Sequence, residues 1–129
     1  MSAIDEFLAD ARAELDRVDP QQAYELQQAG ALIVDIRPAA DRAAYGEIPD
    51  SVVVERIVLE WRLDPASEHK LPEITADRPV VIVCNEGYSS SLAARDVKRL
   101  GLRHATDLIG GFHAWRAAGL PIVAGKAGQ

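Results

Sequence analysis

The chain has 129 residues, 48% apolar and 26% charged, which suits one globular domain with a core that needs no disulfide or metal to hold it. Its formal net charge of -6 disfavours nucleic acid and anionic membranes as partners. No run approaches the ~18 apolar residues of a membrane span, and a single cysteine excludes an internal disulfide.

Ile4, Phe7, Leu8, Ala11, Leu15 and Val18 share one helical stripe, which predicts an amphipathic helix over residues 3–18 packed on the domain. Asp5, Glu6, Asp10 and Glu14 interrupt the apolar run that a secretory signal needs, and the lone thiol suits a reducing compartment. A cytoplasmic location is the expectation. Asp19 caps a second helix, Pro20 suits its first turn, and Gly30 closes it. The β-branched run over 31–36 predicts a buried parallel strand.

A helical turn from Asp41 to Tyr45-Gly46 follows, then a strand over 51–54, a helical turn over 57–63 and a polar loop over 64–78. The clearest strand runs from Pro79 to Cys84. Residues 85–88 form a loop, and Ser89–Leu100 a helix with Ala93, Val97 and Leu100 on one face, stopped by Gly101. A short strand over Ala105–Leu108 and a last helix over Phe112–Ala118 complete the chain. Strands alternating with amphipathic helices argue an α/β domain with a mostly parallel sheet covered on both faces. No repeat, low-complexity segment or linker divides it, so one domain over 1–129 is expected. Trp61, Trp115 and Phe112 are assigned to the core.

Cys84 ends a buried strand, where open α/β sheets place their ligands. The helix that follows points free N–H groups and the positive end of its dipole back at the loop. A thiol placed there loses its proton readily and becomes a nucleophile. Gly87 lets successive amides converge, and Ser89, Ser90 and Ser91 offer hydroxyls to a sulfur or an anion. A lone cysteine is otherwise a small buried hydrophobe. Apolar burial alone does not explain the polar loop Asn85-Glu86-Gly87-Tyr88-Ser89-Ser90 around this one.

Cys84-Asn85-Glu86-Gly87-Tyr88-Ser89-Ser90 resembles the active-site loop of rhodanese-like sulfurtransferases, Cys-x-x-Gly-x-Arg/Ser-Ser. Val34-Asp35-Ile36-Arg37, Gly46-Glu47-Ile48-Pro49-Asp50-Ser51 and the stretch from Gly110-Gly111-Phe112 through Trp115 to Gly119-Leu120-Pro121 resemble three further family segments, in order, across about residues 20–123. The resemblance implies a rhodanese-like fold with a central, mostly parallel five-stranded sheet. It implies a sulfurtransferase that carries a sulfane sulfur on Cys84 as a persulfide. Asn85, Glu86, Gly87, Tyr88, Ser89, Ser90 and Arg37 would bind substrate. The implied partners are a small sulfur donor (thiosulfate or a persulfide), a cyanide or thiol acceptor, and a protein as an alternative acceptor, with no cofactor. A non-catalytic, regulatory or sulfur-carrier module is the alternative within the family.

The chain departs from the family pattern at Glu47 and Asp50, where histidine and glycine are usual, and at Ser89, where many members have arginine. Glu86 brings a carboxylate near the sulfur, which would repel an anionic donor. Arg37, Arg42, Arg56 and Arg62 each read as solvated or salt-bridged surface residues, and as a counterweight to Glu86 Arg37 is the best placed of the four because it directly follows a strand end. A cysteine phosphatase needs arginine six residues after the cysteine, and that residue is Ser90. His69, His104 and His113 lack metal-ligand spacing, and His113 is read as a surface or structural residue.

Overall fold

The computed structural model describes residues 1–125. Its strands, β1 (Leu32–Asp35), β2 (Val52–Val53), β3 (Val80–Val83) and β4 (Ala105–Asp107), form a parallel sheet in the order β2-β1-β3-β4. The two runs richest in Val, Ile and Leu take the centre, paired from Leu32↔Val80 to Asp35↔Val83, as expected of strands buried on both faces.

Helices α1 (Ala3–Ala13), α4 (Leu59–Leu63) and α5 (Ser89–Arg99) contribute to one side, and α2 (Pro20–Gln28) and α6 (Gly111–Ala117) to the other. The two-residue period of a strand divides the core. Val80 and Ile82 face Leu59, Leu63, Ala93 and Val97, whereas Val81 and Val83 face Ala23, Phe112 and Trp115. Cys84 continues the Val80–Ile82 side and so points toward α5. The remaining helix, α3 (Ala39–Tyr45), follows β1.

Four strands form among the described residues, not five. The fifth position is occupied by one residue: Val18 bridges Leu108, its N–H donating to Asp107 O at 3.2 Å and its carbonyl accepting from Ile109 at 2.8 Å. Asp19 and Pro20 then start α2 at once, with Asp19 and Gln22 forming a reciprocal cap. No length remains for a strand.

The same bridge shortens the first helix. It ends at Ala13 rather than Val18, because the chain must leave the helix to lie beside β4. The apolar stripe is only half used: Ala11 and Leu15 are buried, while Ile4 and Phe7 are exposed. Trp61 is 59% exposed and does not join Phe112 and Trp115 in the core. Leu59 and Leu63, four residues apart, take the inward face of α4 and leave Trp61 on the other. Asp50, in place of the family's usual glycine, adopts φ +62°, a left-handed turn that aspartate tolerates better than most side chains. No helix among the described residues is long and apolar enough to cross a membrane.

Candidate active site

β3 delivers Cys84 to the carboxyl edge of the sheet, and residues 85–88 turn the chain into α5. The Gly87 N–H donates to Cys84 Sγ at 3.1 Å, and the Cys84 thiol donates to Ser90 Oγ at 3.2 Å. Gly87 has φ +86°, and a Cβ there would stand 2.7 Å from Gly110 N, so both the turn and the packing require glycine.

Three of the loop's carbonyls, those of Cys84, Asn85 and Gly87, are bonded away from the sulfur. Phe112 N–H takes the Cys84 carbonyl at 2.8 Å, and His113 N–H takes that of Asn85 at 3.1 Å. The Gly87 carbonyl accepts from Arg12 at 2.8 Å and from Arg17 at 3.0 Å. The N–H groups of Tyr88 and Ser89 meet no acceptor among the described residues. Loop amides freed in this way are suited to an anion.

Below the loop lies a buried polar network. Ser90 and Ser91 each donate to Asp107 Oδ2 at 2.8 Å, and Arg17 holds both oxygens of Asp107. Asp107 is fully buried, and these partners satisfy it. Burial pushes the Cys84 thiol up. The Ser90 hydroxyl and N–H, the Ser89 hydroxyl and the Gly87 N–H pull it down, and the result lies below the ordinary thiol value.

A cavity of about 510 Å³ opens over the sulfur. Asn85, Glu86, Tyr88 and Ser89 line it together with Cys84, while Gly87 and Ser90 do not line it and contact the sulfur directly. Arg37 also lines it. Its guanidinium is salt-bridged rather than free: Asp35 takes it through Nε and one terminal nitrogen, which lies 2.7 Å from Asp35 Oδ2 and also donates to Gly46 O. The group stacks 3.9 Å from the Phe112 ring centre.

Arg42, Arg56 and Arg62 are turned elsewhere, toward Glu47, Glu60 and the His69 carbonyl. His113 is half-buried and lines the cavity, edge-on to Tyr45. Arg12, Arg17 and Asp107 support the loop without a motif that marks them, and the Ser91 hydroxyl is turned to Asp107 rather than to the sulfur. Their one local signal is a carboxylate inside the apolar run Ala105–Ile109, since a buried acid requires partners.

A rhodanese-like domain model matches residues 19–118. The chain belongs to the rhodanese-like domain family. It is 35% identical over 106 residues to a thiosulfate sulfurtransferase GlpE of Ectopseudomonas mendocina, covering 81% of this chain and 88% of that one. It is 38% identical to an Allochromatium vinosum sulfurtransferase over 72% of this chain and 78% of the other. Among solved structures it resembles a Rhodopseudomonas palustris protein of unknown function, a possible tyrosine phosphatase, with TM-score 0.84, 34% identity and 95% of both chains covered. In this rhodanese-like chain the residue six after the cysteine is a serine bound to Asp107, so the loop brings no guanidinium to a phosphoryl group.

Proposed function

We propose that the protein is a sulfurtransferase that carries a sulfane sulfur on Cys84. The observation that carries this reading is the sulfur itself, which accepts the Gly87 N–H, has its thiol held below the ordinary value by hydrogen bonds, and sits in a loop whose Cys84, Asn85 and Gly87 carbonyls are bonded elsewhere. The names of its curated relatives support the same chemistry.

The Cys84 thiolate attacks the outer sulfur of the donor. With thiosulfate, the S–S bond breaks and sulfite leaves with the bonding pair, so Cys84 becomes a persulfide anion. The loop N–H groups over 85–90, those of Tyr88 and Ser89 first, hold that terminal sulfur, with the Ser89 hydroxyl beside them. A thiophilic acceptor, cyanide or a thiol, then takes the outer sulfur and returns Cys84 to the thiolate. The chain has one cysteine, so the acceptor thiol, small or on a protein, comes from another molecule. Asn85, Glu86, Tyr88 and Arg37 line the cavity that would take the substrate. A lone reactive thiol suits the reducing cytoplasm.

The test is intact-protein mass spectrometry after brief exposure to thiosulfate, and separately to a persulfide donor. The wild type gains one sulfur atom, Cys84→Ser gains none, and cyanide or a thiol removes it. If neither donor adds a sulfur atom to the wild type, the sulfurtransferase reading is overturned in favour of a binding module on the same fold.

A further inference from the structure

The residues before the family match reach the back of the loop. Arg12, on α1, donates from one terminal nitrogen to the Gly87 carbonyl at 2.8 Å and from Nε to Ser91 Oγ at 3.1 Å, and its guanidinium lies 5.5 Å from the Tyr88 ring centre. Arg17 donates to the same carbonyl and pairs with Asp107. In a trans peptide the carbonyl and the following N–H point in opposite directions. A Gly87 carbonyl held on the arginines therefore aims the Tyr88 N–H away from them, toward the cavity that Tyr88 lines.

Charge tells the same story. The loop from Cys84 to Ser90 contains a carboxylate, Glu86, and no cation. Arg37 is neutralised by Asp35, and Arg17 by Asp107. Arg12 touches the loop and forms no ion pair among the described residues.

We propose that Arg12 and Arg17, contributed by the segment before the family match, clamp the Gly87 carbonyl so that the Tyr88 N–H faces the anion cradle, with Arg12 supplying the loop's positive charge. The inference rests on the sulfurtransferase reading for its substrate, but not for the geometry. Both arginines are positioning residues, since they act through the Gly87–Tyr88 peptide. The clamp favours an anionic donor or an anionic persulfide over a neutral reagent of the same size.

The experiment alkylates Cys84 with anionic iodoacetate and with neutral iodoacetamide, and measures thiosulfate:cyanide sulfurtransfer alongside. Arg12→Gln is the main variant, because Arg17→Gln would strand the buried Asp107. Arg12→Gln lowers the iodoacetate-to-iodoacetamide rate ratio by about tenfold and raises KM for thiosulfate by a similar factor, with a smaller change in kcat. Arg12→Lys, which keeps the charge, restores most of the ratio.

Glu14→Gln separates a clamp from simple docking of α1, since Glu14 pairs with Arg99 on α5 and touches nothing in the loop; it stays close to the wild-type ratio. The clamp is overturned if Arg12→Gln keeps the wild-type ratio, or if Glu14→Gln lowers it equally. Alkylation needs no sulfur transfer, so a wild type that forms no persulfide counts against the sulfurtransferase reading alone.

Discussion

The Ser90 hydroxyl lies 3.2 Å from the Cys84 sulfur and 2.8 Å from Asp107 Oδ2, and it has one hydrogen to share between them. While Cys84 is a thiol, S–H donates to Ser90 and Ser90 donates to Asp107. When Cys84 ionises, the Ser90 hydrogen can turn to the sulfur, because Asp107 keeps Ser91 and both bonds from Arg17. The thiolate gains a donor and no buried acceptor is orphaned.

The rate of Cys84 alkylation by iodoacetamide, measured against pH, reports this arrangement. The thiolate predominates above the midpoint, and the midpoint falls below that of an ordinary thiol, since the hydrogen bonds outweigh burial. Ser90→Ala keeps the burial and loses the donor, so its midpoint moves up. An unchanged or lower midpoint in Ser90→Ala would contradict the shared-hydrogen arrangement.

Glu86 is exposed on the cavity wall beside Cys84. Its carboxylate repels a dianionic donor more than a neutral one, and solvent screens the effect. Glu86→Gln is expected to raise kcat/KM for thiosulfate by about threefold at low salt, with the gain shrinking as ionic strength rises. Turnover that stayed level or fell would show that Glu86 does not oppose the donor.

Much of this site was legible in the sequence because the loop is local. The order of strand, Cys84, Gly87 and serines, then helix, is contained in a short run whose geometry follows from hydrogen-bonding rules. The supports were not legible. Arg17 and Asp107 meet across ninety positions, and Arg12 reaches Gly87 across seventy-five. A charged residue on a helix stripe reads as solvent-facing until the tertiary structure places a carbonyl beside it. Val18 misled in a similar way: its apolar spacing fits a helix, but a single bridge to Leu108 decides its conformation. Trp61 misled because bulk and hydrophobicity predict burial, whereas Leu59 and Leu63 leave only the outer face of a five-residue helix.

Arg37 and Asp35 form a buried pair at the wall of the cavity, with side chains almost entirely removed from solvent. Removing one partner leaves the other charge uncompensated in a low-dielectric setting. Asp35→Ala is expected to cost about 3–5 kcal/mol in urea unfolding. The Asp35 carboxylate also accepts the Arg37 N–H at 2.9 Å, so the chain leaving β1 loosens as well. A loss below about 1 kcal/mol, the range of an exposed pair, would mean that water replaces the partner.

Gly111 is where the chain closes behind the sulfur. Its φ is +64°, and a Cβ would stand 2.5 Å from the Asn85 carbonyl carbon and oxygen and 2.6 Å from Cys84 O. Those carbonyls are the ones that α6 draws away from the cradle, so the clash falls on the geometry that frees the loop amides. Gly119 supplies the comparison: φ is +72°, and a Cβ there would meet nothing within 4 Å. Gly119→Ala carries only the left-handed strain, about 1–2 kcal/mol, and keeps its sulfurtransfer. Gly111→Ala carries the same strain plus displacement of the loop carbonyls. It is expected to lose more stability than Gly119→Ala and to lower sulfurtransfer by at least about tenfold, the scale of one misplaced oxyanion donor. Thermal unfolding and thiosulfate turnover of the two variants, measured together, isolate the contact from the strain. Equal behaviour in both assays would mean that the Gly111 contact does not shape the cradle.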